Sequence, residues 1–218
     1  MSDLDRKIII IGASGHGKVI ADIAELNGYE NIVFFDDDTS ISECNGYPVI
    51  GTTDDVDNTE GEVIVAIGNS DTRKRIYQRI SRERWATLVH PSAVIARDVT
   101  IGDGTVVMAG VVINACSTIG EGCIVNTSSS VDHDCVVGDY VHIAVGSHLC
   151  GTVKVGNKTW IGAGAVVSNN ISICDECIIG AGTVVVHNIN DAGTYIGVPE
   201  KMIKSKSNTY VGVKTPLS

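Results

Sequence analysis

Every sixth residue from Ile95 to Val185 is aliphatic: Ile95, Ile101, Val107, Ile113, Ile119, Val125, Val131, Val137, Ile143, Leu149, Val155, Ile161, Val167, Ile173, Ile179 and Val185. Four residues after each stands a small or β-branched residue, among them Val99, Thr105, Val111, Ser117, Cys123, Ser129, Cys135 and Cys177. Glycine often follows the aliphatic directly, as at Gly102, Gly120, Gly138, Gly156, Gly162 and Gly180. Neither a helix nor a plain alternating strand has this period. Six residues suit one short strand and one turn. Three such units close a triangular coil, and stacked coils pair their strands in parallel. Each aliphatic then lies over another eighteen residues on. Gly and Asn at the corners are expected to supply the φ > 0 conformations of sharp turns. The pattern predicts a β-helix of about five coils.

The first part of the chain is patterned differently. Lys7 to Gly12 reads as a buried strand that runs into Gly12-Ala13-Ser14-Gly15-His16-Gly17-Lys18 and a helix to about Asn27. Strands are predicted at Ile32 to Phe35, ending on Asp36-Asp37, and at Val63 to Ile67, ending on Gly68-Asn69, with a helix near Asp71 to Arg84. This is a small parallel sheet covered by helices, Rossmann-like in outline. A glycine-rich turn between strand and helix presents backbone N–H groups to anions. An acid about twenty residues on can hold a ribose or base. The spacing of Gly12, Gly15 and Gly17 is neither GxGxxG nor a P-loop, so a nucleotide-sugar site is preferred over a nicotinamide site. The expected division is residues 1–88 for the α/β domain, 89–203 for the β-helix and 204–218 for a tail.

Composition narrows the partners. The formal net charge of −10 argues against nucleic acid or an anionic membrane as partner. Aromatics are only 5% of the chain, which fits thin stacked strands better than a bulky core. The N-terminus shows no signal pattern and no early apolar run long enough to span a membrane, so a cytoplasmic location is expected. The seven cysteines form no secreted disulfide framework. Cys174 and Cys177 make one CxxC without a second, and Cys177 falls on a repeat position, so packing is preferred over redox or zinc roles.

Histidine has the pKa range of a general base. His133 lies between Asp132 and Asp134, two places after a core aliphatic, so it projects from the prism. An exposed histidine between acids also reads as a solvated surface residue. His90, His148 and His187 are read as structural.

The hexapeptide pattern resembles the left-handed β-helix of hexapeptide acyltransferases, and Gly197-Val198-Pro199-Glu200-Lys201 resembles the closing motif of that family, with Glu where Ala is common. The left hand comes from the resemblance, against the usual right-handed crossover. Further stretches resemble the branch of bacillosamine-pathway and sialic-acid O-acetyltransferase-like proteins. They are Gly12 to Gly17, Asp36-Asp37, Ala66-Ile67-Gly68-Asn69, Asn126-Thr127-Ser128-Ser129 and His133-Asp134-Cys135-Val136-Val137-Gly138. The resemblance reaches about Ile203. It implies an acetyl-CoA-dependent N-acetyltransferase acting on a nucleotide-linked, UDP-type 4-amino-4,6-dideoxy sugar, and a homotrimer with sites between subunits. It implies His133 as base, backed by Asp134, with the Gly151 amide as oxyanion donor. Ser14, Gly15 and His16 would meet the phosphates, Asp36 and Asp37 the uracil or ribose, Gly68 the ligand's edge, and Asn126 the sugar. His142 would contact acetyl-CoA, with packing between coils as its other reading, and the backbone at Ala163 and Ala181 would hold the pantetheine arm. Lys154, Lys158 and Lys201 are candidates for the 3′-phosphate of CoA, or solvated surface. No metal is expected. Three rival readings remain: O-acetylation of a sialic acid or related hydroxyl, a zinc hydro-lyase built on His133, His142 and His148, and a non-catalytic nucleotide-sugar scaffold. The spacing of those histidines does not match the γ-type carbonic anhydrases.

Overall fold

The computed structural model describes residues 6–206. The end of the expected tail, residues 207–218, lies outside them.

The first unit is a sheet of order β3-β4-β2-β1-β5, built from β1 (Lys7–Ile11), β2 (Asn31–Phe35), β3 (Glu43–Cys44), β4 (Tyr47–Gly51) and β5 (Glu62–Val65). Strands β1, β2, β4 and β5 are parallel, while β3 is an antiparallel edge. The β3–β4 hairpin was not anticipated; Tyr47-Pro48-Val49-Ile50 has too little alternation to announce a strand, and it pairs at the sheet's margin. Helix α1 (Gly15–Leu26) packs on β1 through Ile20, Ala21, Ile23 and Ala24. Helix α2 (Ser70–Tyr77) stops well short of the expected Arg84, and only a 3-10 turn follows at Arg82–Arg84.

The second unit is a parallel β-helix. Its two-residue strands form three flat faces. The first face begins at Val94–Ile95, the second at Thr100–Ile101, and the third at Leu88–Val89. Register steps by eighteen residues from coil to coil, as in Ile95↔Ile113↔Val131 on the first face, until the last coil, where Ile178 pairs with Thr194 and an antiparallel strand, Lys201–Ser205, closes the third face. The sixfold aliphatics point inward, and from Val107 to Val185 all are buried. The small position is inward as well. Its hydroxyls reach backbone carbonyls across the corner: Thr105 to Gly120 (2.8 Å), Ser117 to Asp132 (2.7 Å) and Thr159 to Cys174 (3.1 Å). The same oxygens accept from the next coil's amides at Cys123, Cys135 and Cys177. A buried hydroxyl is tolerated because it is paired.

The glycines after the aliphatics do not carry the positive φ. That conformation belongs to the second residue of each corner, which is Gly104, Gly122 and Gly146 but also Ser128, Asp134, Tyr140, Lys158 and Glu176. Asparagine supplies it only at Asn170 among these corners. Gly102, Gly120, Gly138 and Gly156 instead form a column where successive coils nearly touch. A Cβ on Gly120 would lie 2.6 Å from the carbonyl carbon of Gly138 and 2.4 Å from Asp139 Oδ1. Backbone cannot yield there, so Gly120→Ala is expected to cost about 3 kcal/mol. That lowers Tm by roughly 10 °C in a chain of this size. A shift under about 2 °C in thermal denaturation would show that the coils can part after all.

The two units join along the edge between the second and third faces. There the left-handed corner residues expose carbonyls at Gly104, Gly122, Tyr140 and Lys158, one per coil. Helix α2 runs down this row. Tyr77 Oη donates to Gly104 O (2.7 Å), Arg73 Nε to Gly122 O (2.7 Å) and Arg73 Nη2 to Tyr140 O (2.6 Å); Ser70 Oγ reaches Lys158 O at 3.5 Å. Ser70, Arg73 and Tyr77 share one helix face. Val106, Met108 and Ile124 of the third face pack into the core of the α/β unit, so that unit covers the first coils of the third face.

Candidate active site

Two sets of candidate residues form two separate places on this chain. The first is the glycine turn. Gly12 adopts φ +112, and Gly17 brings α1 onto β1 so closely that a Cβ would lie 2.2 Å from Gly12 O. The turn, the ends of β2 and β5 and Thr53 enclose a cavity of about 240 Å³. Ser14, His16, Asp36, Asp37 and Gly68 all line it. The Asp36 carboxylate is already engaged, however: Oδ2 accepts from the Ala13 amide (2.6 Å) and Oδ1 from the Asp38 amide (2.9 Å). Asp37 Oδ1 accepts from the Thr53 amide (2.9 Å). Both acids brace the loops that shape the pocket.

The cavity shares Gly68 with a larger one of about 630 Å³ that climbs the third face past His142, Trp160 and Ile178 to Lys204 and Lys206. His142 stacks on Trp160 with ring centroids 5.8 Å apart and planes 7° apart. Asn126 Oδ1 accepts from the Thr127 amide, which leaves Asn126 Nδ2 to face His142 Nε2 at 3.2 Å. The imidazole therefore accepts at Nε2 and carries its proton on Nδ1. Burial first, then the Arg73 charge, pushes its pKa down to about 3. His16, beside it, is pushed down to about 4 by the same two causes. Both are neutral hydrogen-bonding groups at any physiological pH. His142, expected at the cofactor, thus sits with the substrate candidates Asn126, His16 and Gly68.

The second place is the edge between the first and second faces. His133 is exposed at this corner, and its Nδ1 lies 2.8 Å from Asp134 Oδ2. Asp134 reaches the ring because it holds the left-handed corner position, φ 58, next to its partner. Asp132 is tied to Asn114 Nδ2 (2.8 Å) and accepts the His133 amide (2.8 Å). The hydrogen bond to Asp134, then the charge of Asp132, raises the His133 pKa above its ordinary value. With Nδ1 committed to the carboxylate, Nε2 is the free basic atom. One coil on, Gly151 lies directly beneath it: a Cβ there would sit 2.6 Å from His133 Nε2. The Gly151 amide donates no hydrogen bond among the described residues.

The same holds on the edge between the third and first faces, where the amides of Val145, Ala163 and Ala181 also have no acceptor among the described residues. By contrast, the edge facing the α/β unit is sealed. Its corner amides at Glu121, Asp139 and Asn157 are each capped by the side chain of Asp139, Asn157 and Asp175 one coil on.

The remaining histidines have local partners. His90 Nδ1 takes the Ser92 amide (3.0 Å), His148 Nδ1 meets Ser130 Oγ (2.8 Å), and His187 Nδ1 meets Glu200 (2.9 Å). Glu200 also accepts the Val186 and His187 amides, a capping role that a family alanine could not fill. Lys158 pairs with Asp71 and Glu176 and lines the larger cavity. Cys174 and Cys177 are free thiols 3.5 Å apart. Within one chain His133 stands on the edge between the first two faces, His142 on the third face and His148 on the first. No group of three metal-ligating side chains occurs among the described residues, and no helix among them is long and apolar enough to cross a membrane.

Comparison with known proteins agrees with this architecture. Residues 7–80 match the PglD N-terminal domain family, and residues 152–187 match the bacterial transferase hexapeptide family. The acetyltransferase domain of PglB from Neisseria gonorrhoeae, solved with acetyl coenzyme A, superposes with a TM-score of 0.87 at 40% identity, covering 91% of this chain and 99% of that one. PerB from Caulobacter crescentus, solved with CoA and GDP-perosamine, gives 0.83 at 36%, covering 90% and 96%. UDP-N-acetylbacillosamine N-acetyltransferase of Bacillus subtilis is 33% identical over 112 residues, 48% of this chain. That match spans about half of the relative's length (52%). The fold is the left-handed parallel β-helix preceded by an α/β domain, and its two parts are those of an acyl-transfer scaffold. The chain belongs to the hexapeptide-repeat acyltransferases, in the branch that carries a PglD N-terminal domain.

Proposed function

We propose that the protein transfers an acetyl group from acetyl-CoA to the 4-amino group of a nucleotide-linked 4-amino-4,6-dideoxy sugar, with UDP as the expected nucleotide. The observation that carries this reading is the Asp134-backed imidazole of His133 standing over the unpaired Gly151 amide. The relatives support the class of substrate: one is solved with GDP-perosamine, and another is named for UDP-N-acetylbacillosamine.

The chemistry follows from the geometry. Asp134 fixes the proton on Nδ1. His133 Nε2 takes a proton as the sugar amine attacks the thioester carbonyl. The developing oxyanion is met by the Gly151 N–H. The tetrahedral intermediate collapses, and the CoA thiolate leaves with the proton held by His133. The unpaired amides of Ala163 and Ala181 suit the carbonyls of a pantetheine arm.

The two halves of this machinery lie on opposite sides of one prism. The edge holding His133 is opposite the third face, where the nucleotide pocket and His142 are found. A sugar held in that pocket therefore meets the His133 edge of another copy. This is why we read the active form as a homotrimer with shared sites, as flat-sided prisms around a threefold axis allow.

Thiol release from acetyl-CoA, measured across UDP-, GDP- and dTDP-linked 4-amino sugars and matching hydroxyl acceptors, tests the assignment. Turnover on an amine acceptor is expected. Turnover on hydroxyl acceptors alone would replace it with O-acetylation, and no turnover with any acceptor would remove it. The pH profile is a second check. His133 must be neutral to act, so kcat/KM falls as pH drops through a pKa held above the usual histidine value. Asp134→Asn removes the larger cause of the shift and is expected to move that limb to lower pH.

A further inference from the structure

We infer that Arg73 is the positioning residue of the acceptor pocket: it ties the Ile67–Gly68 floor of that pocket to two successive coils of the β-helix. The inference rests on the proposed function in taking this pocket as the acceptor's.

Arg73 is one of the largest fully buried side chains in the protein, 1% exposed. Its guanidinium is spent on backbone carbonyls. Nη1 donates to Ile67 O (2.9 Å) and Gly68 O (3.0 Å), Nε to Gly122 O and Nη2 to Tyr140 O. It has no carboxylate partner among the described residues. A buried charge is ordinarily paired with an opposite one. Here four carbonyl dipoles do that work, from three segments far apart in sequence. A planar fork with donors on all sides can hold them at once, and a lysine ammonium cannot.

What the fork holds is functional ground. Gly68 is the residue that both cavities share. Gly122 and Tyr140 occupy the same corner position in neighbouring coils, and Tyr140 leads into His142 two residues later. Arg73 thus sets the spacing between the loop that closes the nucleotide pocket and the strand that presents His142. The groups facing it are His16, His142, Tyr77, Tyr140 and Cys123. None is an anion at neutral pH, so the positive charge also persists beneath the place where the two cavities meet.

The test compares Arg73→Met and Arg73→Lys with the wild type in steady-state kinetics, with each substrate varied in turn. Both variants are expected to raise KM for the nucleotide sugar by about tenfold or more and to leave KM for acetyl-CoA within about twofold. Equal changes in the two KM values, or a lower Tm with neither changed, would reduce Arg73 to a structural role. Full recovery by lysine would show that charge alone matters and overturn the positioning reading. Should Arg73→Met fail to fold, Arg73→Lys carries the comparison. Should the wild type turn over no amino sugar, the proposed function fails while this inference stays testable by calorimetry with UDP and GDP. Tight binding by the wild type, weakened about tenfold in Arg73→Lys, supports it. Equal binding by both, or none by the wild type, overturns it.

Discussion

His133→Ala is expected to lower kcat by about 10²–10⁴-fold while leaving the fold and the binding of both substrates intact. The side chain is exposed at a corner, and the coil beneath it is held by Thr152 N to His133 O, a backbone bond that alanine keeps. Nothing in the core depends on the ring, so the Tm of the variant should match the wild type. The chemical loss has one source. At neutral pH a free sugar amine attacking a thioester needs a proton acceptor in place as the bond forms. The three atoms nearest a Cβ placed on Gly151 all belong to the His133 ring, and the neutral imidazole of His142 is on another face. His133→Asn should fare no better, since an amide fills the volume without basicity. A loss in kcat smaller than about tenfold, read by thiol release under saturating substrates, would take His133 out of the base role and leave a nearby water or the substrate itself to accept the proton.

That His133 could be singled out from sequence reflects how little a β-helix hides. A sixfold period assigns every residue to the inside, a strand surface or a corner. Val131 is inward, so His133 has to be outside, and Gly151 has to lie one coil on, on the same edge. The inward small and β-branched residues are legible for the same reason, because the period turns that position inward in every coil. What the period does not encode is the contact with the other unit. Ser70, Arg73 and Tyr77 form a polar helix face, and polar faces ordinarily point to water. Only the row of outward carbonyls, one per coil, gives that face a partner. The carbonyls exist because the corner residues are left-handed, a backbone property that Tyr140 and Lys158 do not announce. Asp36 and Asp37 have a second role that the sequence does not show. They line the cavity as a pair of acids at a strand's end suggests, and they also accept from the amides of Ala13, Asp38 and Thr53, of which Ala13 and Thr53 are distant in sequence. The glycines of the Gly120 column looked like turn-formers and are instead points of near contact between coils.

Two inactive variants are expected to regain activity when their chains are co-assembled. One carries His133→Ala; the other carries a lesion that closes the nucleotide pocket, Gly17→Val, placed where even a Cβ would lie 2.2 Å from Gly12 O. Alone, each variant has no complete site. In a mixed trimer a site is restored wherever an intact pocket on one chain faces an intact His133 on its neighbour. For equal amounts assembling at random, about one quarter of all sites meet that condition, and in the purified mixed trimers one site in three does, so about a third of wild-type turnover should return there. The argument is purely geometrical. His133 and Gly151 occupy the edge between the first two faces, the pocket covers the third face, and the packed aliphatic core of the prism lies between them. No rotamer of His133 spans that core. Co-expression with two different affinity tags, tandem purification of the mixed species and a thiol-release assay would measure the recovery. Activity no higher than the sum of the two parents would mean that pocket and base serve one another within a single chain, which this arrangement of faces does not permit, or that the bound sugar lies elsewhere.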